Sequence, residues 1–285
     1  MRIALFQQQH VDDEGGNLRA AESAIRSATR QGAEIVCLQE LFATAYFPQR
    51  ESATCFDLAE TVPGPTSEHM QKLARELSVV LIVPVFERRA PGMYHNSALV
   101  IDTDGSLAGH YRKMHLPDDP GFREKFYFSP GDRGFFAVDT AAGRIAVLIC
   151  WDQWFPEAAR LVTLDGAEVI FYPTAIGWVP DENETERTAS RDAWITVQRS
   201  HAIANGTYVA AANRVGREGR IDFYGSSFVC DPRGVLLAEA SSKDPELLLA
   251  DCPSAAIENQ RRSWPFLRDR RFDAYGDLAR QYRRR

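Results

Sequence analysis

Ile145-Ala146-Val147-Leu148-Ile149-Cys150-Trp151-Asp152 runs through five apolar residues and then presents a thiol, an indole and a carboxylate in succession. An uninterrupted apolar run of this length reads as a strand buried on both faces, the kind found inside a sheet that is covered on each side. It carries Cys150 to the rim of that sheet. Glu40 and Lys113 are delivered in the same way, each just past another strand-like run. A thiol, a carboxylate and an amine brought to one rim point to nucleophilic attack on a carbonyl carbon.

Outward from this stretch, strand and helix signals alternate. Residues 2–8 read as a strand. Leu18, Ala21, Ile25 and Ala28 then recur at helical spacing, and residues 34–38 form a short apolar strand ending before Glu40. After Pro63-Gly64-Pro65, Met70, Leu73, Ala74 and Leu77 share one helical face, and residues 79–85 follow as an apolar strand. Hairpins come next: residues 97–101, a turn at Asp104-Gly105 and a strand leading to Lys113, then residues 135–138, Ala142-Gly143 and the strand ending at Cys150. Pro156 suits the first turn of a helix that Gly166 closes. Residues 169–172 resume the strands, followed by a helix near 192–205 and strands near 208–212, 227–230, 235–238 and 247–250. The last twenty-odd residues, rich in Arg and aromatics, read as an arm. No repeat, linker or low-complexity segment divides the chain, so one domain over residues 1–285 is expected.

Composition bounds the function. The chain has 285 residues, 45% of them hydrophobic, enough for one large domain that buries roughly three quarters of its unfolded surface. A net charge of -6 argues against a nucleic-acid backbone as the main partner. No apolar run reaches the length of a membrane span or a signal peptide, so no membrane association and a cytoplasmic location are expected. The five cysteines are scattered without Cys-x-x-Cys spacing, and the six histidines lack metal-ligand spacing. Neither a metal nor a cofactor is indicated.

Each reactive residue has a plain reading beside the chemical one. A cysteine at a strand end is most often a small buried hydrophobe. Here Trp151-Asp152-Gln153-Trp154-Phe155-Pro156 follows it, a helix start whose exposed amides favour a thiolate and hold a developing oxyanion. Glu40 alone reads as a surface acid or cap, but against an apolar wall it would suit proton transfer from the thiol. Lys113, in Tyr111-Arg112-Lys113-Met114-His115-Leu116-Pro117, reads as a strand-end charge or as an oxyanion partner. His115 is as readily structural as functional.

Three segments, Gln39-Glu40-Leu41-Phe42, Tyr111-Arg112-Lys113-Met114-His115-Leu116 and Ile149-Cys150-Trp151-Asp152-Gln153-Trp154-Phe155-Pro156-Glu157, resemble in order and spacing the signatures of the nitrilase superfamily of carbon-nitrogen hydrolases. Further segments, among them Glu124-Lys125-Phe126-Tyr127-Phe128 and Phe171-Tyr172-Pro173-Thr174-Ala175-Ile176-Gly177, resemble the branch that hydrolyses N-carbamoylputrescine. The resemblance implies a four-layer α-β-β-α sandwich that pairs into homodimers or larger homo-oligomers. It also implies Cys150 as nucleophile, Glu40 as general base, Lys113 as oxyanion stabiliser with the Trp151 amide, and Glu124 as the residue positioning substrate and lysine.

The substrate side is less regular. That branch usually continues Thr-Ala-Ile-Gly with Ser-Glu-Pro, whose acid meets a distal ammonium; this chain has Trp178-Val179-Pro180. The acids Asp181, Glu182, Glu184 and Glu186 follow at once, either as a solvated loop or as the replacement counter-charge, with Glu182 the candidate. Tyr46 and Trp178 either wall the pocket or belong to the core. Another N-carbamoyl compound or a linear amide is the alternative substrate, an inactive scaffold of the same fold the alternative outside the class. The C-terminal arginines, including Arg283-Arg284-Arg285, read as an arm against a partner subunit rather than a nucleic-acid surface.

Overall fold

The structure, a computed structural model, describes residues 1–11, 13 and 15–282. Arg283, Arg284 and Arg285 lie outside the described residues.

The strands are β1 (Arg2–Gln7), β2 (Ile35–Leu38), β3 (Val80–Ala90), β4 (Met93–Ile101), β5 (Leu107–Arg112), β6 (Val138–Thr140), β7 (Gly143–Val147), β8 (Val169–Pro173), β9 (Gly177–Trp178), β10 (Tyr208–Ala212), β11 (Val215–Glu218), β12 (Ile221–Tyr224), β13 (Phe228–Cys230), β14 (Leu236–Glu239) and β15 (Glu246–Asp251). The helices are α1 (Gly16–Arg30), α2 (Pro65–Leu77), α3 (Glu124–Tyr127), α4 (Pro156–Leu164), α5 (Glu184–Asn205) and α6 (Ser254–Ser263).

Two six-stranded sheets result, in the orders β15-β1-β2-β3-β4-β5 and β14-β13-β10-β8-β7-β6. Their centres are parallel because helices α1, α2, α4 and α5 make the crossovers; hairpins make β3-β4-β5, β6-β7 and β13-β14 antiparallel, and β15 and β13 return to pair antiparallel with β1 and β10. Alternation along each strand then assigns two cores. In β1, Ile3 and Leu5 enter the core between the sheets, while Ala4 points the other way, under Ala21, Ile25 and Ala28 of α1 and Met70, Leu73 and Ala74 of α2. Ala158, Ala159 and Val162 of α4 and Trp194 and Ala202 of α5 cover the second sheet. The architecture is the expected four-layer α-β-β-α sandwich.

Several expectations need correction. The strand before the thiol ends at Val147, and Cys150 opens a one-turn 3-10 helix, Cys150–Trp154. Residues 135–137 are irregular, with Phe135 and Phe136 packed on the core, and pairing starts only at Val138. The helix expected near 192–205 begins at Glu184. Asn183 caps it, accepting from the Thr185 and Glu186 amides at 3.0 and 3.1 Å, and Glu186 returns the bond to the Asn183 amide at 2.8 Å. Part of the acidic stretch is therefore the first turn of a helix, where carboxylates favour the dipole. Residues 260–263 belong to α6, which buries Ile257 and Gln260; most of the described residues beyond it are exposed.

A third sheet, in the order β11-β12-β9, was not expected. Its service to the site runs through Arg214, fully buried just before β11. Arg214 donates to the carbonyls of Glu40, Leu41 and Thr44 at 3.0, 2.8 and 3.1 Å and pairs with Glu218 at 2.7 Å. Glu218 in turn accepts from the Tyr46 amide at 2.7 Å. One guanidinium thus fixes the loop that follows Glu40. Breaking one side of a buried pair typically costs about 3–5 kcal/mol. Arg214→Met should lose a stability of that order in urea unfolding at pH 7, more than Arg217→Met on the neighbouring exposed position.

Candidate active site

Four polar side chains from four elements converge. Glu40 follows β2, Lys113 follows β5, Glu124 opens α3 and Cys150 follows β7, and all four are buried. Lys113 Nζ donates to Glu40 Oε1 at 2.8 Å and to Glu124 Oε2 at 2.7 Å. Asn96 Nδ2 donates to the same Glu40 oxygen at 2.7 Å, and the Tyr46 hydroxyl donates to Glu124 Oε1 at 2.8 Å. Three of the four carboxylate oxygens are therefore held. Glu40 Oε2 is buried and has no hydrogen-bond partner among the described residues.

Electrostatics follow from this crowding. Burial works against the Lys113 charge, but Glu124 and Glu40 outweigh it and raise its pKa, so the nitrogen stays an ammonium. One ammonium serves two carboxylates. Burial pushes Glu124 up to about 7 against the pull of Lys113, and the Glu40 charge adds to the rise. The Cys150 thiol is driven well above its ordinary range, first by burial and then by Glu40, with Lys113 opposing. The amides after Cys150 were expected to favour a thiolate, and the raised pKa runs against that expectation. A 3-10 turn of five residues supplies less dipole than a full helix start, and a neighbouring carboxylate disfavours the anion.

Cys150 sits at φ 43°, in the left-handed region that a side-chain-bearing residue enters at a cost of about 1–3 kcal/mol. Asp152 holds the turn in place. Its Oδ2 accepts from the Tyr111 hydroxyl at 2.8 Å and the Ile149 amide at 2.9 Å, and its Oδ1 accepts from the His115 amide at 3.0 Å. His115 Nδ1 also lies 2.7 Å from that oxygen, and its ring stacks on Phe155 with centroids 3.7 Å apart. One carboxylate thus ties the thiol's turn to the segment bearing Lys113, and His115 takes the structural reading.

A cavity of about 370 Å³ opens over Cys150, with Trp151, Phe122, Ala175, Tyr224 and Glu182 in its lining. Glu182 Oε2 accepts from the Val179 amide at 2.8 Å. Asp181 instead lines a neighbouring hollow with Gln49 and Arg220, and Glu184 is exposed. Tyr46 and Trp178 do not line this cavity. Tyr46 is spent on Glu124, and Trp178 packs behind Tyr224 with centroids 5.2 Å apart and donates its indole N–H to the Arg187 carbonyl at 2.9 Å. Sequence reasoning missed Asn96, Arg214, Glu218 and Tyr224. Two of them left a trace as polar residues inside apolar surroundings, Asn96 in Asn96-Ser97-Ala98-Leu99-Val100 and Arg214 after Ala210-Ala211-Ala212.

A sandwich that gathers a buried thiol, an ammonium and two carboxylates in one cluster holds groups suited to attack on a carbonyl carbon. The carbon-nitrogen hydrolase family model matches residues 2–262. An N-carbamoylputrescine amidase of Solanum lycopersicum is 45% identical over 96% of this chain and 93% of its own. A citrullinase of Francisella tularensis is 41% identical over 99% of each chain. A crystal structure of a carbon-nitrogen hydrolase from Helicobacter pylori superimposes with a TM-score of 0.96 at 44% identity, covering 99% of both chains. The chain belongs to the carbon-nitrogen hydrolase family and is a hydrolase of carbon-nitrogen bonds other than peptide bonds.

The raised pKa of Glu124 has a measurable consequence. A carboxyl that keeps its proton in the folded state up to about 7, but loses it near 4.5 when unfolded, makes stability fall as pH rises through that window. Glu124→Gln removes the titration. The stability of this variant relative to the parent should improve between pH 4.5 and 7 and level off above, as read by urea unfolding across pH.

Proposed function

We propose that this chain hydrolyses N-carbamoylputrescine to putrescine, carbon dioxide and ammonia, with Cys150 as nucleophile, Glu40 as general base and acid, Lys113 as oxyanion partner and Glu124 as the group that positions Lys113. The chemistry rests on one observation: Glu40 keeps a single buried oxygen unpartnered while Lys113 and Asn96 hold the other. That oxygen takes the thiol proton as the sulfur attacks the ureido carbon. The negative charge forming on the carbonyl oxygen is met by the Lys113 ammonium together with the Trp151 amide. Ammonia or the amine leaves with the proton from Glu40, and water activated by the same carboxylate cleaves the thioester-like intermediate.

The substrate reading rests on the cavity and on the relatives. Among the described residues, the cavity over Cys150 has two acids, Glu182 and Asp119, and no lysine or arginine in its lining. A four-carbon tail ending in an ammonium matches that polarity. Citrulline, named for one relative, would add a carboxylate beside the ammonium and would ask for a cation there. The residue beside Gly177 and Trp178 is Val179, so Glu182 takes the counter-charge role that the branch assigns to its Ser-Glu-Pro acid. Exposed Trp264, Phe266, Phe272 and Leu278, interleaved with arginines, support docking of the arm on a second copy of the chain.

Cys150→Ala and Cys150→Ser should each abolish ammonia release while circular dichroism and assembly stay unchanged. Protein quenched during turnover should carry its carbonyl adduct on Cys150 and on none of the other four cysteines by mass spectrometry; an adduct elsewhere would overturn the assignment. Glu40→Gln should lower kcat by about 10²–10⁴, the span of general acid-base catalysis, and a rise in KM alone would reduce Glu40 to a binding residue.

Glu182→Gln should raise KM for N-carbamoylputrescine about tenfold or more while sparing N-butylurea, the uncharged analogue with the same four-carbon chain. Equal effects on both substrates would remove Glu182 from ammonium recognition. Asp181→Asn, on the neighbouring hollow, should leave both KM values as they are.

A further inference from the structure

Tyr224 closes β12 and lines the cavity over Cys150, and nothing in the chemistry proposed above uses it. Its ring is fixed on two sides, with centroids 5.2 Å from Trp178 and 5.6 Å from Trp194. The side chain is 1% exposed, and its hydroxyl has no hydrogen-bond partner among the described residues. A rigid, buried hydroxyl left without a partner beside an open cavity is a group prepared for a ligand. Burial, and the proximity of Cys150 and Glu182, push its pKa well above the phenolic range, so the hydroxyl stays neutral.

The same wall carries a second unpartnered polar atom, the indole nitrogen of Trp154. An indole N–H can only donate, which makes it useless to a cation, whereas a phenol oxygen offers lone pairs. An ammonium has three N–H bonds to place. Glu182 already gives one oxygen to the Val179 amide, so its carboxylate cannot satisfy all three alone.

We propose that the Tyr224 hydroxyl is a specificity-determining partner of the substrate's distal ammonium, accepting one of its N–H bonds beside Glu182. This rests on the reading of the substrate as a cation-tailed ureido compound. Trp178 then acts through Tyr224, as the surface that sets the ring's angle. The departure from Ser-Glu-Pro thereby moves cation recognition from one acid to a pair, Glu182 and Tyr224.

The test compares the parent with Tyr224→Phe on N-carbamoylputrescine and on N-butylurea, and measures N-carbamoylputrescine binding by calorimetry in a Cys150→Ala background with and without Tyr224→Phe. The variant removes one oxygen that has no protein partner, so folding is preserved. KM and Kd for the cation should rise about tenfold, the loss of one hydrogen bond to a charged group, with kcat within about twofold and N-butylurea unaffected. An equal fall in kcat on both substrates would assign Tyr224 to the thiol end and overturn the proposal, as would a preference for the cation that survives the substitution. A parent that prefers N-butylurea from the outset would instead overturn the cationic-substrate reading, and this proposal with it.

Discussion

The Lys113 ammonium, out of water and held between Glu40 and Glu124 at 2.8 and 2.7 Å, is the constraint around which the rest of the site is arranged. Desolvating an ammonium and the two carboxyl groups that hold it is costly unless most of their polar atoms find partners. The surroundings supply them from distant parts of the chain. Asn96 steadies one carboxylate, Tyr46 the other, and the Arg214–Glu218 pair fixes the backbone that presents Glu40 and Tyr46. Because these groups come from the first sheet, the small third sheet and the loops between them, the cluster assembles only when the layers are docked. Among the described residues one buried carboxylate oxygen of this cluster, Glu40 Oε2, is left without a partner.

The elements that cover the sheets were legible because burial there follows simple periods. Ala21, Ile25 and Ala28, and Met70, Leu73 and Ala74, recur at helical spacing and are buried as that spacing requires. The apolar runs of β2, β3 and β7 are buried on both faces, which removes the alternation that marks a half-exposed strand but leaves an unmistakable hydrophobic block. Glu40, Lys113 and Cys150 stood out because each terminates such a block. The third sheet was not legible: β9 has two residues, β11 is short and interrupted by Gly216 and Arg217, and β12 is short and interrupted by Asp222, with pairing partners fixed only by tertiary packing.

The polar supports were hidden for a different reason. Arg214 meets Glu40 across 174 positions, and Tyr46 meets Glu218 across 172. No local pattern encodes such a pairing, and a buried arginine departs from the usual distribution of charge. Tyr224 was hidden among core aromatics, since a cavity-lining tyrosine with an unpartnered hydroxyl reads like one whose hydroxyl is spent on the backbone. Asn183-Glu184-Thr185-Glu186 is the instructive case. It carries a capping box that announces a helix, yet the density of acids drew attention to charge and away from the hydrogen bonds those side chains make.

The protonated state of Cys150 bears on how this protein survives oxidants. Peroxides and electrophiles react with thiolates, and a site that stored its sulfur as an anion would be exposed to them continuously. Here burial and the adjacent carboxylate keep the sulfur protonated at rest, and a proton transfer to Glu40 would release its reactivity only when a carbonyl carbon is in place to receive it. Cys37, Cys230 and Cys252 are also buried, with pKa values raised by desolvation. These three, like Cys150, thus offer little standing thiolate for chance modification.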